Sequence, residues 1–174
     1  MLVLDHAQSD AALHESLLRH ICRNPSPSLP ILSTLTWVFL CSVALLIAGG
    51  ALRLWCYETL GRYFTYEITI LDDHDLVTTG PYAAVRHPSY TGACMMIVAT
   101  TIIFFGSDGY IVGCNMRDTP VLWFIRLWMV LAPYAAFALV RRANVEDAQL
   151  KKSFGAKWET YREKVPYKFV PYVL

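Results

Sequence analysis

The feature that most constrains this chain is an uncharged stretch of 22 residues from Ile31 to Leu52. A helix rises by about 1.5 Å per residue, so this stretch would reach about 33 Å and cross the hydrocarbon core of a bilayer. We therefore predict a membrane-spanning helix over about residues 31–54. Four small residues within it, from Ala48 to Ala51, favour the close packing of another helix. Arg53 and Trp55 follow, as is typical of a membrane interface.

Two further apolar runs are long enough to span a membrane, over about residues 88–107 and 119–140. The first is uncharged, and the second carries one charge, Arg126, and a proline, Pro133, that is expected to kink it. Only 17% of the chain is charged, whereas a soluble domain has about a quarter. The alternative, helices buried in a soluble protein, would need a much larger polar shell. We predict an all-α integral membrane protein with about three transmembrane helices, plus interfacial and C-terminal amphipathic helices.

The N-terminal segment, residues 1–29, has a different composition from the rest. It contains acidic residues, a short amphipathic pattern from Ala11 to Cys22, and a linker rich in proline and serine. A cleaved signal peptide would begin basic and become apolar at once, so none is predicted. Residues 30–174 are expected to form one membrane-embedded domain.

The basic residues are distributed unevenly between the two sides that three spans would define. Eleven of the 15 Lys and Arg residues lie in the segment 53–87 or in the tail 141–174, and only three lie on the other side. Basic loops stay predominantly on the cytoplasmic side of a membrane. The segment and the tail are therefore predicted to face the cytosol.

A polar segment, residues 71–90, precedes the second span and is dense in acidic, histidine and tyrosine side chains. Thr79 could cap a short helix that starts at Pro81. A proline in the first turn of the span leaves His87 near its N-terminus, where a ligand carboxylate could bind. Alternatively, Arg86 and His87 only anchor the helix among lipid headgroups.

The tail contains a second group of charged residues. Arg142 and Glu146 are four residues apart and would share one face of a helix that continues from the third span, with Asp147 beside them. The same spacing would also suit an interfacial salt bridge worth a few tenths of a kcal/mol, and it does not distinguish the two.

A further helix is predicted from Ala156 to Lys164, after a break near Phe154 and Gly155. Trp158, Tyr161 and Val165 follow one another at spacings of three and four residues. This pattern indicates an amphipathic helix that lies either against the membrane or over the polar segment.

Several other classes of protein are excluded by what the sequence lacks. His74 has no second histidine or cysteine at ligand spacing, and the five cysteines form no C-x-x-C pair, so neither a metal site nor a disulfide framework is predicted. Glycine-rich phosphate loops and hydrolase motifs are absent. A net charge of +1 provides no concentrated basic face for nucleic acid.

Four blocks together resemble one family in order and spacing. They read His74-Asp-Leu-Val-Thr-Thr-Gly-Pro-Tyr82, then Arg86-His-Pro-Ser-Tyr-Thr-Gly92, then Arg142 with Glu146-Asp147, then Phe154-Gly155, Tyr161 and Lys164-Val-Pro166. They resemble the isoprenylcysteine carboxyl methyltransferases, which are integral membrane enzymes of the endoplasmic reticulum. The resemblance covers about residues 57–166.

The resemblance implies methyl transfer from S-adenosylmethionine to the C-terminal carboxylate of a prenylated cysteine in a protein, giving a methyl ester. It implies a multi-pass protein of the endoplasmic reticulum membrane, with its site facing the cytosol and its prenylated substrate partly in the bilayer. A buried arginine suits a carboxylate, and the resemblance assigns substrate binding and catalysis to Arg142. It implies a cofactor segment at 67–90 and a pocket formed by Glu67, His74, Asp75, Leu76, Val77, Tyr82, His87, Pro88, Ser89, Tyr90 and Glu146.

Two alternatives stay open. One is methylation of another membrane substrate, such as a phospholipid amine, although an amine would not call for the arginine at position 142. The other is a catalytically inactive membrane adaptor of the same fold. Two features support it: Glu67 stands where the family usually has a glutamine, and the N-terminal region has a single predicted span.

Overall fold

The computed structural model of the protein describes residues 35–63, 75–106, 109–114, 120 and 122–172. These residues contain five α-helices, which are α1 (Trp37–Leu60), α2 (Pro88–Phe105), α3 (Tyr110–Gly113), α4 (Leu122–Phe154) and α5 (Ala156–Lys164). Two 3-10 turns, Gly61–Tyr63 and Gly80–Ala83, accompany them, and the described part of the chain contains no strand. The predicted all-α fold is confirmed. The N-terminal amphipathic segment and linker lie outside the described residues.

Three of the helical stretches are long and apolar enough to cross a membrane, as predicted: Trp37–Tyr63, Pro88–Phe105 and Leu122–Phe154. The first helix begins later than predicted, because Leu35 and Thr36 are not helical. The hydroxyl of Thr36 accepts a hydrogen bond from the N–H of Phe39 at 3.2 Å, which caps the helix. That cap, and not the start of the apolar run, defines where the helix begins.

The third spanning helix, α4, continues well beyond the predicted apolar run. It is one helix of 33 residues, and Pro133 lies inside it without ending it. The apolar side chains of its first part are exposed, with Trp123 and Phe124 at 71% and 72%. An apolar helix surface of this kind suits contact with lipid tails. The charged end of α4 extends the helix beyond the apolar run, and the predicted tail group lies on this part.

The larger of two compact units comprises Val43–Thr100 and Trp128–Leu174. Within it, α1 and α2 make backbone contact, because a Cβ atom on Gly49 would lie 2.7 Å from the carbonyl oxygen of Gly92. The predicted close packing at the small residues of α1 is therefore confirmed.

The smaller unit comprises Met1–Ser42 and Thr101–Leu127. In it, Val38 and Phe39 line a small apolar cleft together with Ile102 and Ile103. Cys114 is disulfide-bonded. The spacing of the five cysteines does not predict that bond, since spacing carries no information on which thiols meet in the fold.

Candidate functional site

The polar groups of the larger unit are concentrated around the first residues of α2. A 3-10 turn, Gly80–Ala83, precedes that helix, as expected for the Gly-Pro pair. Gly80 has φ of +60°, which lies in the left-handed region that favours glycine. Thr79 occupies the N-cap position, but its side chain makes no capping hydrogen bond. The predicted cap by Thr79 is therefore wrong, since glycine rather than a side-chain cap permits the turn.

A segment that we call the C-terminal strap, residues 165–169, runs beside the start of α2. The backbone N–H groups of Arg86 and His87 donate to the carbonyl oxygens of Tyr167 and Lys168, at 3.0 and 2.8 Å. These bonds satisfy donors that precede the helix and have no partner within it. The strap thus fixes the backbone from which the site side chains project.

The side chain of Arg86 is buried and bound to the strap. Its Nη1 atom donates to the carbonyl oxygens of Val165 and Pro166, both at 2.9 Å. Its Nη2 atom lies 3.6 Å from Oδ2 of Asp147. Arg86 and His87 are only 8% and 4% exposed. They are held within the protein, so the alternative of a headgroup anchor is wrong.

His87, Tyr90 and the end of α4 form one connected polar group, which we call the histidine cluster. Nε2 of His87 lies 2.9 Å from Oδ1 of Asp147. The Tyr90 hydroxyl donates to Oε2 of Glu146 at 2.7 Å and accepts from Nε of Arg142 at 3.0 Å. The rings of His87 and Tyr90 stack with their centroids 5.5 Å apart. Two blocks of sequence more than 50 residues apart are thereby joined through Tyr90.

Arg142 differs from the expectation of a buried arginine, because its residue is exposed. It projects from the part of α4 that follows the apolar run predicted over residues 119–140. Arg142 is connected to the carboxylate of Glu146 through the Tyr90 hydroxyl.

The amphipathic helix α5 covers the polar segment, which was one of the two predicted positions. Trp158 and Tyr161 are buried, and the Tyr161 hydroxyl donates to the carbonyl oxygen of Tyr82 at 2.8 Å. Burial raises the pKa of both Tyr82 and Tyr161 above the ordinary value of a tyrosine. Both hydroxyls therefore stay protonated throughout the physiological range.

The remaining predicted cofactor residues occupy several different positions. Asp75 is exposed and lies 3.6 Å from Nζ of Lys157 on α5, and its own Oδ1 accepts from the N–H of Leu76 at 2.9 Å. Val77 is half-buried in the same segment. The Asp75 side chain therefore pairs with α5. Glu67 and His74 lie outside the described residues.

The first residues of α2 itself hold the other two predicted positions. Pro88 is fully buried. The carbonyl oxygen of Ser89 accepts a hydrogen bond from Nη1 of Arg53 on α1 at 3.1 Å. Arg53 was predicted only as an interface residue, and its role in fixing α2 was missed. An arginine at the end of an apolar run gives no sign that it turns back toward a neighbouring helix.

The charges of the site define what it could hold. Glu146 and Asp147 provide two carboxylates, and the Glu146 side chain is 32% exposed and therefore accessible to a ligand. Such an acceptor beside two aromatic rings suits a cationic group that donates hydrogen bonds, such as the amino group of S-adenosylmethionine. Arg142 suits an anion. Among the described residues, no three histidine, cysteine or acidic side chains are grouped to hold a metal ion.

Comparison with known proteins agrees with the motifs. Residues 42–126 match the family described as isoprenylcysteine carboxyl methyltransferase (ICMT). The chain is 30% identical over 138 residues to a probable protein-S-isoprenylcysteine O-methyltransferase of Oryza sativa subsp. indica, covering 78% of this chain and 63% of that protein. It is 27% identical over 139 residues to the Homo sapiens protein-S-isoprenylcysteine O-methyltransferase, covering 79% and 43%. The chain thus spans less than two-thirds of the length of these curated relatives.

A solved structure shares the fold. The eukaryotic intramembrane Ras methyltransferase ICMT superposes with a TM-score of 0.60 at 22% identity, covering 99% of this chain and 53% of that one. The resemblance read from the four sequence blocks is confirmed: the chain is similar in sequence to the isoprenylcysteine carboxyl methyltransferases, shares the fold of the solved methyltransferase, and contains three helices long and apolar enough to cross a membrane.

Proposed function

We propose that the chain transfers a methyl group from S-adenosylmethionine to the free C-terminal carboxylate of a prenylated cysteine, giving a methyl ester. The observation that carries this proposal is the link from Arg142 through Tyr90 to Glu146, at 3.0 and 2.7 Å. Arg142, which is always charged, could bind the carboxylate of the methyl acceptor, and Glu146 nearby could bind the positively charged methyl donor. The names of the relatives support the same reaction.

The chemistry asks little of the protein in acid–base terms. A carboxylate is ionised at neutral pH, so no general base is needed. The protein has to strip water from the acceptor and hold it in line with the methyl group. Arg142 would bind the acceptor carboxylate through its planar guanidinium, whose Nε also donates to the Tyr90 hydroxyl.

The methyl donor would be held by groups around the start of α2. When bound, S-adenosylmethionine supplies an electrophilic methyl group on a sulfonium ion. Glu146 and the aromatic face of Tyr90 would stabilise the positive charge of the cofactor, and His87 would accept a hydrogen bond from its amino group. We propose the same pocket residues as the family resemblance implies, namely Glu67, His74, Asp75, Leu76, Val77, Tyr82, His87, Pro88, Ser89, Tyr90 and Glu146.

We further propose that the protein acts in the endoplasmic reticulum membrane with this site facing the cytosol. Eleven of its 15 basic residues lie on the side of the site, which supports that orientation. A bilayer also suits the substrate, because exposing a long prenyl chain to water costs about 25 cal/mol per Å².

The test is methyl transfer from labelled S-adenosylmethionine in membranes that contain the protein. The acceptor is an S-farnesyl cysteine with a free carboxylate, and its carboxamide is the matched control. We expect label only in the acid, as a base-labile ester. Labelling of phosphatidylethanolamine instead would favour the amine alternative. A chain that binds no S-adenosylmethionine would support the adaptor alternative and refute the proposal.

A further inference from the structure

Asp147 is the carboxylate in the histidine cluster for which the proposed reaction has no direct use. Its Oδ1 atom lies 2.9 Å from Nε2 of His87. Its Oδ2 atom lies 3.6 Å from Nη2 of Arg86 and 3.5 Å from Nζ of Lys168. The Asp147 side chain is only 11% exposed. The residues just before α2, the end of α4 and the C-terminal strap therefore meet at this one carboxylate.

The contact with Asp147 determines where His87 carries its proton. An ionised carboxylate only accepts hydrogen bonds, and two nearby cations, Arg86 and Lys168, keep Asp147 ionised. The contact of 2.9 Å therefore requires a hydrogen on Nε2 of His87. The other ring nitrogen, Nδ1, lies 3.8 Å from Oε2 of Glu146, which is beyond hydrogen-bond distance.

The geometry around His87 provides a hydrogen-bond partner for only one of its two ring nitrogens. The side chain is 3% exposed, and Nε2 lies 2.9 Å from Oδ1 of Asp147. A second hydrogen on Nδ1 would point toward Oε2 of Glu146, which lies too far away, at 3.8 Å, to accept it. The neutral tautomer with hydrogen on Nε2 leaves a lone pair on Nδ1.

We propose that Asp147 is a positioning residue that holds His87 as the Nε2-protonated neutral imidazole, so that Nδ1 is a hydrogen-bond acceptor beside Glu146. The nature of the ligand rests on the proposed function, while the tautomer is a property of the protein alone. Nδ1 and the Glu146 carboxylate are two acceptors on one side of the ring. They suit a group with several N–H donors, and the amino group of the methyl donor is such a group.

The orientation of the ring is fixed from more than one direction. Tyr90 stacks on it with an interplanar angle of 7°, and Phe169 of the strap packs against it with centroids 6.0 Å apart. These contacts hold the ring plane but do not distinguish its two nitrogens. Only a polar partner can do that, and Asp147 is that partner.

The tautomer is measured directly by nitrogen NMR of protein labelled on its histidine rings, in nanodiscs near neutral pH. The resonances of His87 are assigned by their loss in His87→Gln. We expect a protonated Nε2 and an unprotonated Nδ1. Observing a hydrogen on Nδ1, alone or with Nε2, would overturn the proposal. This measurement needs neither a variant of Asp147 nor a bound cofactor.

The second measurement uses Asp147→Asn, which keeps the size of the side chain but can donate as well as accept. We expect the His87 spectrum to show a substantial population with the hydrogen on Nδ1. Glu159→Gln is the matched control, because Glu159 is an ion-paired carboxylate on α5, 2.6 Å from Nζ of Lys151. It should leave the His87 spectrum unchanged. An unchanged spectrum in Asp147→Asn would refute the positioning role.

Titration with S-adenosylhomocysteine links the tautomer to the ligand. The loss of one hydrogen bond to a charged group should weaken binding to Asp147→Asn by about tenfold, and Glu159→Gln should bind like the wild type. Wild-type protein that shows the expected tautomer but binds no cofactor would refute the proposed function and leave the role of Asp147 standing. Full-strength binding by a variant whose tautomer has changed would refute the role of Nδ1.

Discussion

Replacing Gly49 with alanine tests how closely α1 and α2 must approach. The new Cβ would lie 2.7 Å from the carbonyl oxygen of Gly92, and 3.1 Å from the Cβ of Met95 and the Cγ of Met96. The first distance is about 0.7 Å shorter than the 3.4 Å at which ordinary contact begins. Because the carbonyl belongs to the backbone, it cannot rotate away, and the two helices have to separate.

The size of the effect follows from two opposing terms. Inserting a carbon into a filled contact costs about 1–3 kcal/mol. Alanine in place of glycine within a helix gains about 0.8–1.0 kcal/mol. Gly50→Ala is the matched control, since a Cβ at Gly50 meets no atom within 4 Å. Both variants share the gain, so Gly49→Ala should be less stable than Gly50→Ala by about 1–3 kcal/mol.

The assay is reversible unfolding in mixed micelles, followed by circular dichroism. Separating α1 from α2 should also disturb the site, because Arg53 of α1 donates a hydrogen bond to the Ser89 carbonyl of α2 at 3.1 Å near the same helix crossing. Gly49→Ala is therefore expected to bind S-adenosylhomocysteine more weakly than Gly50→Ala. Equal stability of the two variants would show that α1 and α2 do not touch at Gly49.

The other predictions concern the site and α5. Arg142→Ala should lower kcat/KM for the carboxylate substrate by at least about tenfold with cofactor binding little changed, whereas Glu146→Ala should first weaken binding of S-adenosylhomocysteine; activity equal to wild type in either would contradict its assignment. Tyr90→Phe removes the hydroxyl that joins them and should cost about 1 kcal/mol in cofactor binding, measured by titration. Tyr161→Phe should cost about 1 kcal/mol of stability, since its bond to the Tyr82 carbonyl is lost. Burial raises the pKa of Tyr82 and Tyr161 in the folded protein, so the unfolded chain loses their protons at a lower pH than the folded protein does. The free energy of unfolding should therefore fall as the pH rises above about 10, and it should fall less steeply in Tyr161→Phe.

The sequence predicts those parts of the fold that depend on local pattern. Long apolar runs indicate the three spans, and the spacing of Trp158 and Tyr161 predicts the buried face of α5. Helix periodicity also places Arg142 and Glu146 on one face of α4. The motif blocks bring His87 and Tyr90 to the same site, and the structure joins them to Glu146 through the Tyr90 hydroxyl.

The parts that sequence could not predict depend on contacts between distant backbones. The bonds from the N–H groups of Arg86 and His87 to the strap use main-chain carbonyls, which every residue has, so no side-chain pattern marks them. The exposure of Arg142 depends on how far α4 extends beyond its apolar run. The roles of Arg53 and Asp147 depend on which neighbour each charge meets in three dimensions.

The strap has a consequence for the order in which the protein is made. Arg86 and Val165, which it contacts, are separated by 79 residues, so α4 and α5 have to be synthesised before that contact can form. Chains emerge from the ribosome N-terminal part first. The spanning helices α1 and α2 can therefore enter the bilayer while the histidine cluster is still unformed. A chain stalled before the strap would contain α1 and α2 but would lack the contacts that Arg86 makes with Val165 and Pro166.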